Sequence, residues 1–390
     1  MRVLVITTPV PSHFLPLVPL LWALRSAGHE VTVLGQPDVL GAVRACGLTG
    51  VEVGRPFDVD AMLLRNLPAE QRPLQARPRP DPELLGGYGK VWWAHAAPLL
   101  DRYTALAEEY GPELIVADPL EYCSLVIGAR LDVPVVHHRW TVDAISGPAR
   151  RFVRADAPEP SGLPDPTVLL DPCPPGLRMP DGEAGVPIRY VPYSGGAETP
   201  AWVRAGPGAG RRRVAVSLGN TPALHGGPFV RGLLHALAAR RDAEILVTLP
   251  RPFRAALGTL PGNVTVVDPL PLHLFLGTCD AMVHHGGAGT AMTATAFGLP
   301  QLVLPQLADH FPLADRLAAT GAGLSFDTAA RQDDPQVVGR ALDELLSDPR
   351  YAGSARRLAV EMAAMPSPAT VAARLERRAR AATEPREASV

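Results

Sequence analysis

At 390 residues the chain exceeds one ordinary core, so two or three domains are expected. With 47% hydrophobic and 19% charged residues it reads as packed rather than disordered, and a net charge of −2 leaves no electrostatic footprint for nucleic acid or an anionic membrane surface. Cys46, Cys123, Cys173 and Cys279 show neither C-x-x-C spacing nor a Cys/His cluster, which fits a reducing cytoplasm, and no apolar run approaches the roughly 20 residues that span a bilayer.

Met1–Thr8 is a short β-branched run ended by Pro9 and Pro11, as a buried parallel strand would be. His13 and several prolines interrupt the apolar N-terminus, and its charged region is Arg2 alone, so it does not read as a signal peptide. Leu15–Ala27 carries apolar residues at helical spacing and is closed by Gly28; Glu30–Leu34 is the next strand, completing a βαβ unit. Leu114–Ala117 and Val133–His137 read as further strands, separated by a helix over Cys123–Leu131. Between Arg150 and Gly210 the pattern loosens into proline-rich stretches (DAPEPSGLPDP, DPCPPGL) and the run AGPGAGRRR, which suggests surface loops and then a linker. Alternation restarts with strands at Val214–Leu218, Glu244–Leu249, Val264–Val267, Ala281–His284 and Gln301–Leu304 and helices at Phe229–Ala239 and Thr290–Phe297. Val371–Ala382 reads as a terminal amphipathic helix following Pro366 and Pro368, with a disordered tail expected beyond it. The resulting division is 1–195 (N-terminal domain), 196–212 (linker), 213–370 (C-terminal domain) and 371–390 (a helix returning to the first domain, then tail).

The most informative segment is AMVHHGGAGTAMTATAFGLPQLVLPQLADHFP, from Ala281 to Pro312. A strand ends at His284, Gly286, Gly287 and Gly289 follow, and a helix begins near Ala288–Thr290. Such a turn lets backbone approach a ligand, and a helix start offers unpaired N–H groups with partial positive charge, which suits a diphosphate. His285 adds a side-chain donor and Thr290 a hydroxyl. No Gly-Lys-Ser/Thr follows, and the G-x-G-x-x-G spacing of a hydride-transfer site is missing. Taken alone, the turn equally suits packing.

Over its length, however, this segment resembles the donor signature of the bacterial natural-product glycosyltransferases: His285–Thr290 (HGGAGT), the following helix, Gly298–Pro300, Pro305 and Asp309. The likeness covers nearly the whole chain, with PSHFLPLVPLLWALRSAGHEVTVL, PELIVADPLEYCSLVIGARLDVPVVHHRWTVD, VLLDPCPPGL, VPYSG and VVDPLPLHLFLGTCDAMVHHGGAGT all similar to family segments. VHHRWTVD and DPCPP most resemble the subgroup that includes the spinosyn rhamnosyltransferase and the angucycline and anthracycline deoxysugar transferases. The resemblance implies an α/β GT-B fold, two Rossmann-like doubly wound domains facing a central cleft, and an inverting, metal-independent transfer of a deoxysugar to a polyketide-type aglycone.

It also implies roles. His13 corresponds to the general base on the acceptor hydroxyl, although Ser12 replaces the usual Gly before it; read alone, His13 could simply sit in a loop or cap a helix. Asp118 corresponds to the residue that hydrogen-bonds this histidine, and it also suits a helix cap. His285, Gly286, Gly287, Ala288, Gly289 and Thr290 would hold the diphosphate, helped by Ser217, Gly219 and Asn220 after the first strand of the second domain. His284 reads as a packed neighbour. Leu270, within DPLPL, would meet the pyrimidine; the stacking Trp of plant relatives is replaced there by Pro269 and Leu270, which favours a TDP-sugar over a UDP-sugar. Asp309 would bind sugar hydroxyls together with His310, where the family commonly has Gln. Phe57, Trp92 and Trp140 are candidates for the acceptor pocket, and core packing suits each of them equally.

No cofactor is expected beyond the nucleotide sugar. A homodimer is compatible with the sequence, and the HRW string resembles members that act without a helper protein. Competing readings are a nucleotide-sugar epimerase of the same architecture, an inactive sugar-nucleotide-binding partner, and a two-domain dehydrogenase; the last is disfavoured because the glycine turn lies in the second half.

Overall fold

The computed structural model describes residues 1–65, 67–68, 71–154, 163–208, 210–219 and 224–383. The first half holds a parallel sheet of β1 (Arg2–Ile6), β2 (Glu30–Gly35), β3 (Thr49–Glu52), β4 (Leu114–Ala117), β5 (Val135–His138), β6 (Val168–Asp171) and β7 (Val186–Pro187), in the order β3-β2-β1-β4-β5-β6-β7. The second half repeats the plan with β8 (Arg212–Ser217), β9 (Ala243–Thr248), β10 (Val264–Val267), β11 (Ala281–His284), β12 (Gln301–Val303) and β13 (Gly323–Ser325), in the order β10-β9-β8-β11-β12-β13. In both sheets the winding direction reverses beside the first strand, between β1 and β4 and between β8 and β11. The loops leaving those strand ends diverge and open the crevice where such folds bind ligands.

The central strands are continuous apolar runs because both faces are covered. In β1, Val3 and Val5 pack with Leu17, Leu21 and Leu24, while Leu4 and Ile6 face Tyr103, Leu125 and Ile127 on the other side. The C-terminal helix Pro368–Thr383 crosses back to the first half, where Val371, Ala372 and Leu375 join the core beneath β1 and Glu376 approaches His29 at 3.8 Å. It starts three residues earlier than its hydrophobic pattern suggested, because Pro368 suits a first helical position that needs no N–H partner. The tail from 384 onward lies outside the described residues.

Two other expectations differ from the structure. The expected single helix over Leu15–Ala27 is a turn of α-helix at Pro11–Phe14, a 3-10 turn at Leu15–Leu17 and a helix at Val18–Ser26. Each segment restarts at a proline (Pro11, Pro16, Pro19), which supplies no N–H to the segment before it. The stretch from 150 to 210 is not only loop: it adds β6, whose four residues are all buried, and the edge strand β7 to the first sheet. A four-residue run between prolines is too short for periodicity to reveal.

Side chains also tie the halves together. Arg72, 3% exposed, donates to Gln332 Oε1, Asp333 Oδ1 and the Ala329 carbonyl, and its guanidinium lies 4.0 Å from the centre of the Phe229 ring. Arg79 pairs with Asp315, and the Gly176 amide donates to Glu361 Oε2 at 2.7 Å.

Candidate active site

His13 lies in the short helix that follows β1, and Asp118 follows β4, so the switch point of the first sheet brings them together. They do not meet directly. His13 Nδ1 lies 2.8 Å from Thr8 Oγ1, and Thr8 Oγ1 donates to Asp118 Oδ2 at 3.0 Å. The expected histidine–aspartate contact is therefore bridged by a threonine hydroxyl, because β1 ends two residues before Thr8 and turns that residue inward between them. Asp118 is fully buried and accepts four hydrogen bonds: Thr7 Oγ1 (3.0 Å), Thr8 N (2.7 Å), Thr8 Oγ1 (3.0 Å) and Leu120 N (3.1 Å).

Aromatic side chains wrap the imidazole. Trp140 stacks on His13 with ring centres 3.9 Å apart and donates its indole N–H to the His13 carbonyl at 3.0 Å. Trp92 lies at 5.6 Å, its ring tilted 51° to the imidazole, and Phe57 is 6.1 Å from Trp92. The three candidate acceptor residues thus line one apolar wall at His13, joined by His95, whose ring is 4.2 Å from Phe57. The sequence reading missed His95, although it stands one helical turn from Trp92. Burial lowers the proton affinity of His13, partly offset by the negative charges of Asp118 and then Asp309. Asp309 belongs to the second half, and its charge is the weaker of the two that act on His13.

The second half holds the glycine turn. Gly287 caps the helix Ala288–Ala296 without a side-chain bond, leaving the amides of its first turn without intrahelical partners. The Cε1–Nε2 edge of the His285 ring lies close against two glycines. A Cβ on Gly287 would stand 2.5 Å from its Nε2, and one on Gly219 would stand 2.7 Å from its Cε1. Gly219 also has φ +82°, which favours glycine. Ser217 ends β8 with its carbonyl 3.5 Å from His285 Nδ1. Thr290 stands in the first helical turn, partly exposed, and Tyr190 braces this helix through bonds to the Gly289 carbonyl and Thr293. Leu270 is half-buried at the margin of the cluster around Phe275 and Leu299. Asn220 lies outside the described residues.

Three imidazoles form a row here, with ring centres 5.9 Å apart for His225–His285 and 5.0 Å for His285–His310. Burial lowers the proton affinity of all three, His225 to about 4. His310, expected at the sugar, is mostly engaged elsewhere. Its Nδ1 accepts from the Gln306 and Leu307 amides, and its Cβ fills the space a side chain on Gly286 would need. Nε2 lies 4.0 Å from Asp309 Oδ2, and the ring also bonds to the His285 backbone. His284 is a packed neighbour, accepting from the Gly286 amide and bonding Gln301. His225, which the sequence reading missed, donates to the Leu218 carbonyl at 2.7 Å.

Among the described residues no group of three or more His, Cys, Asp or Glu is arranged to hold a metal ion, and no helix is long and apolar enough to cross a membrane. Two sequence-family models match the chain: the N-terminal domain of erythromycin biosynthesis protein CIII-like proteins over residues 22–219, and their C-terminal domain over residues 232–377. Similar curated proteins include the L-demethylnoviosyl transferase of Streptomyces niveus, 37% identical over 95% of this chain and 97% of that one. Another is the TDP-daunosamine transferase of Streptomyces peucetius, 32% identical over 96% of each. Among solved structures, the spinosyn rhamnosyltransferase complexed with thymidine diphosphate superposes with a TM-score of 0.84 at 35% identity, covering 96% of this chain and all of that one. The chain belongs to the erythromycin biosynthesis protein CIII-like family of antibiotic-type GT-B glycosyltransferases.

Proposed function

We propose that this protein transfers a deoxysugar from a TDP-sugar to a hydroxyl of a polyketide-type or other natural-product aglycone, with inversion at the anomeric carbon, His13 as general base and no metal. On this reading residues 1–195 bind the acceptor and residues 213–370 the donor. The span 196–212 links them, and 371–390 returns to the first domain. What supports it is the pairing of two arrangements: an imidazole set against Trp140 and Trp92 in the first half, and a glycine-lined helix start beside His285 in the second, with the Asp309 charge acting on His13.

The chemistry follows from that arrangement. A hydroxyl is a weak nucleophile until its proton is removed, and a neutral imidazole can take that proton as the oxygen bonds to the anomeric carbon. The bond from that carbon to the diphosphate breaks from the opposite face, and its electron pair leaves on phosphate. Helix-start amides and His285 stabilise this growing charge more than they stabilise the bound donor, so they lower the barrier. Ser217, Gly219 and Asn220 complete the diphosphate loop, Leu270 faces the pyrimidine, and Asp309, with His310 Nε2, accepts and donates at the sugar hydroxyls. TDP is favoured because the resemblance sets Pro269 and Leu270 where an aromatic platform would hold uracil, and because a relative is named for a TDP-sugar.

The test is calorimetric titration with TDP, UDP and GDP, followed by mass spectrometry of reactions containing TDP-deoxysugars and hydroxylated polyketide aromatics. TDP should bind most tightly, and product should appear only when donor and acceptor are both present. Tighter binding of UDP overturns the donor assignment; conversion of the donor sugar without any acceptor points instead to an epimerase.

A further inference from the structure

We propose that Thr8 is a positioning residue of the base: its one hydroxyl proton goes to Asp118, so its oxygen must receive Nδ1–H of His13, which holds the imidazole in the tautomer whose Nε2 is free to take a proton. This rests on the reading of His13 as the base given above.

A threonine hydroxyl has one proton and two lone pairs, and an ionised carboxylate only accepts. Asp118 Oδ2 already receives the Thr8 amide at 2.7 Å and Thr7 Oγ1 at 3.0 Å, so the short contact to Thr8 Oγ1 at 3.0 Å is favourable only if that hydroxyl donates. Its proton is then committed, and the 2.8 Å contact to His13 Nδ1 requires the ring to donate. In the other tautomer a ring lone pair would face an oxygen lone pair, or the hydroxyl would turn away from the carboxylate and leave it one donor short. Thr8 is 1% exposed, so water has no ready access to repair either arrangement. The same residue is pinned twice to one carboxylate oxygen, through its amide and its hydroxyl, which fixes its rotamer. As His13 gains a proton during transfer, the hydroxyl dipole already points its negative end at the ring, and Asp118 behind it polarises that dipole further. The aspartate acts through the threonine.

Three variants and one spectrum test this. Thr8→Val keeps the branched shape and removes the link; kcat should fall about 10²- to 10³-fold, with TDP affinity within about twofold of wild type. Thr8→Ser retains a hydroxyl on the same backbone and should recover to within about fivefold. Asp118→Asn added to Thr8→Val should lower kcat little further, because the two act in series. Nitrogen-15 NMR of the wild type without donor should show His13 protonated at Nδ1, and Thr8→Val should lose that preference. A Thr8→Val enzyme within about threefold of wild type, fully additive losses, or a wild-type His13 protonated at Nε2 each overturn the proposal. The spectrum needs no turnover: a wild type that transfers no sugar counts against the glycosyl-transfer reading, while the tautomer still decides the role of Thr8.

Discussion

Gly287→Ala tests the close packing of His285 against the glycine turn. Gly287 has φ −62° and ψ 137°, which alanine adopts freely, so any effect is steric rather than a backbone effect. The added Cβ would stand 2.5 Å from His285 Nε2 and 2.8 Å from Cε1, well inside van der Waals contact. The ring has little room to shift, because Gly219 lies against the same Cε1–Nε2 edge and His310 lies edge-on at 5.0 Å. Relieving such an overlap typically costs about 1–3 kcal/mol. The residue that would move is the first step into the helix whose amides are proposed to hold the diphosphate, so a loss expressed in the bound state should weaken TDP binding roughly 5- to 150-fold. Calorimetric titration with TDP measures it, alongside the thermal midpoint of the free protein. Gly289→Ala is the comparison: its Cβ meets nothing within 4 Å in the free protein, so His285 stays in place. A Gly287→Ala variant that binds TDP as wild type does would show that His285 and the helix start are not coupled as described.

Trp140→Ala removes the ring stacked on His13 and the bond to its carbonyl, admitting water. Burial holds the His13 proton affinity down, so the acid limb of kcat/KM lies below 6.5 in the wild type and should move up towards 6.5 in the variant; an unmoved limb contradicts this. Burial also depresses His137 to about 3 and His138, His225 and His284 to about 4. The unfolded chain, with histidines near 6.5, therefore binds more protons than the folded one below that pH. This stability is fully present above about 6.5 and is lost as pH falls towards 4, by up to about 1.4 kcal/mol per pH unit for each histidine. Calorimetry should show the thermal midpoint dropping between pH 7 and pH 5, and a flat profile would refute it. Arg72→Ala breaks the buried ties to Gln332, Asp333 and the Ala329 carbonyl and should destabilise the protein by about 1–3 kcal/mol in urea unfolding, so wild-type stability would contradict that role.

Much of this architecture is legible in the sequence because parallel strands buried on both faces are apolar throughout. Val3–Ile6 and Ala281–Val283 announce themselves, and each is followed by a loop whose composition marks a switch point. The glycine turn is legible for a related reason: close approach of backbone to an imidazole leaves no room for Cβ, so Gly219 and Gly287 are visible as residue types. What escapes is whatever depends on separate loops meeting. The Thr8 bridge needs the end of β1 and the end of β4 in one place, and a threonine after a strand carries no signal of its own. His225 likewise reads as a loop residue until the fold sets it 5.9 Å from His285. Strand β6 was hidden by brevity, and the two backbone amides that bond His310 Nδ1 follow from no pattern in the sequence.

His13→Ala tests the division of labour between the two halves most directly, with sugar transfer and TDP affinity measured on one preparation. Transfer should fall by about 10²- to 10⁴-fold while TDP binds within about twofold of wild type, because the proposed base and the proposed diphosphate cradle belong to different halves of the chain. Undiminished transfer, or loss of transfer and TDP binding together, would contradict it.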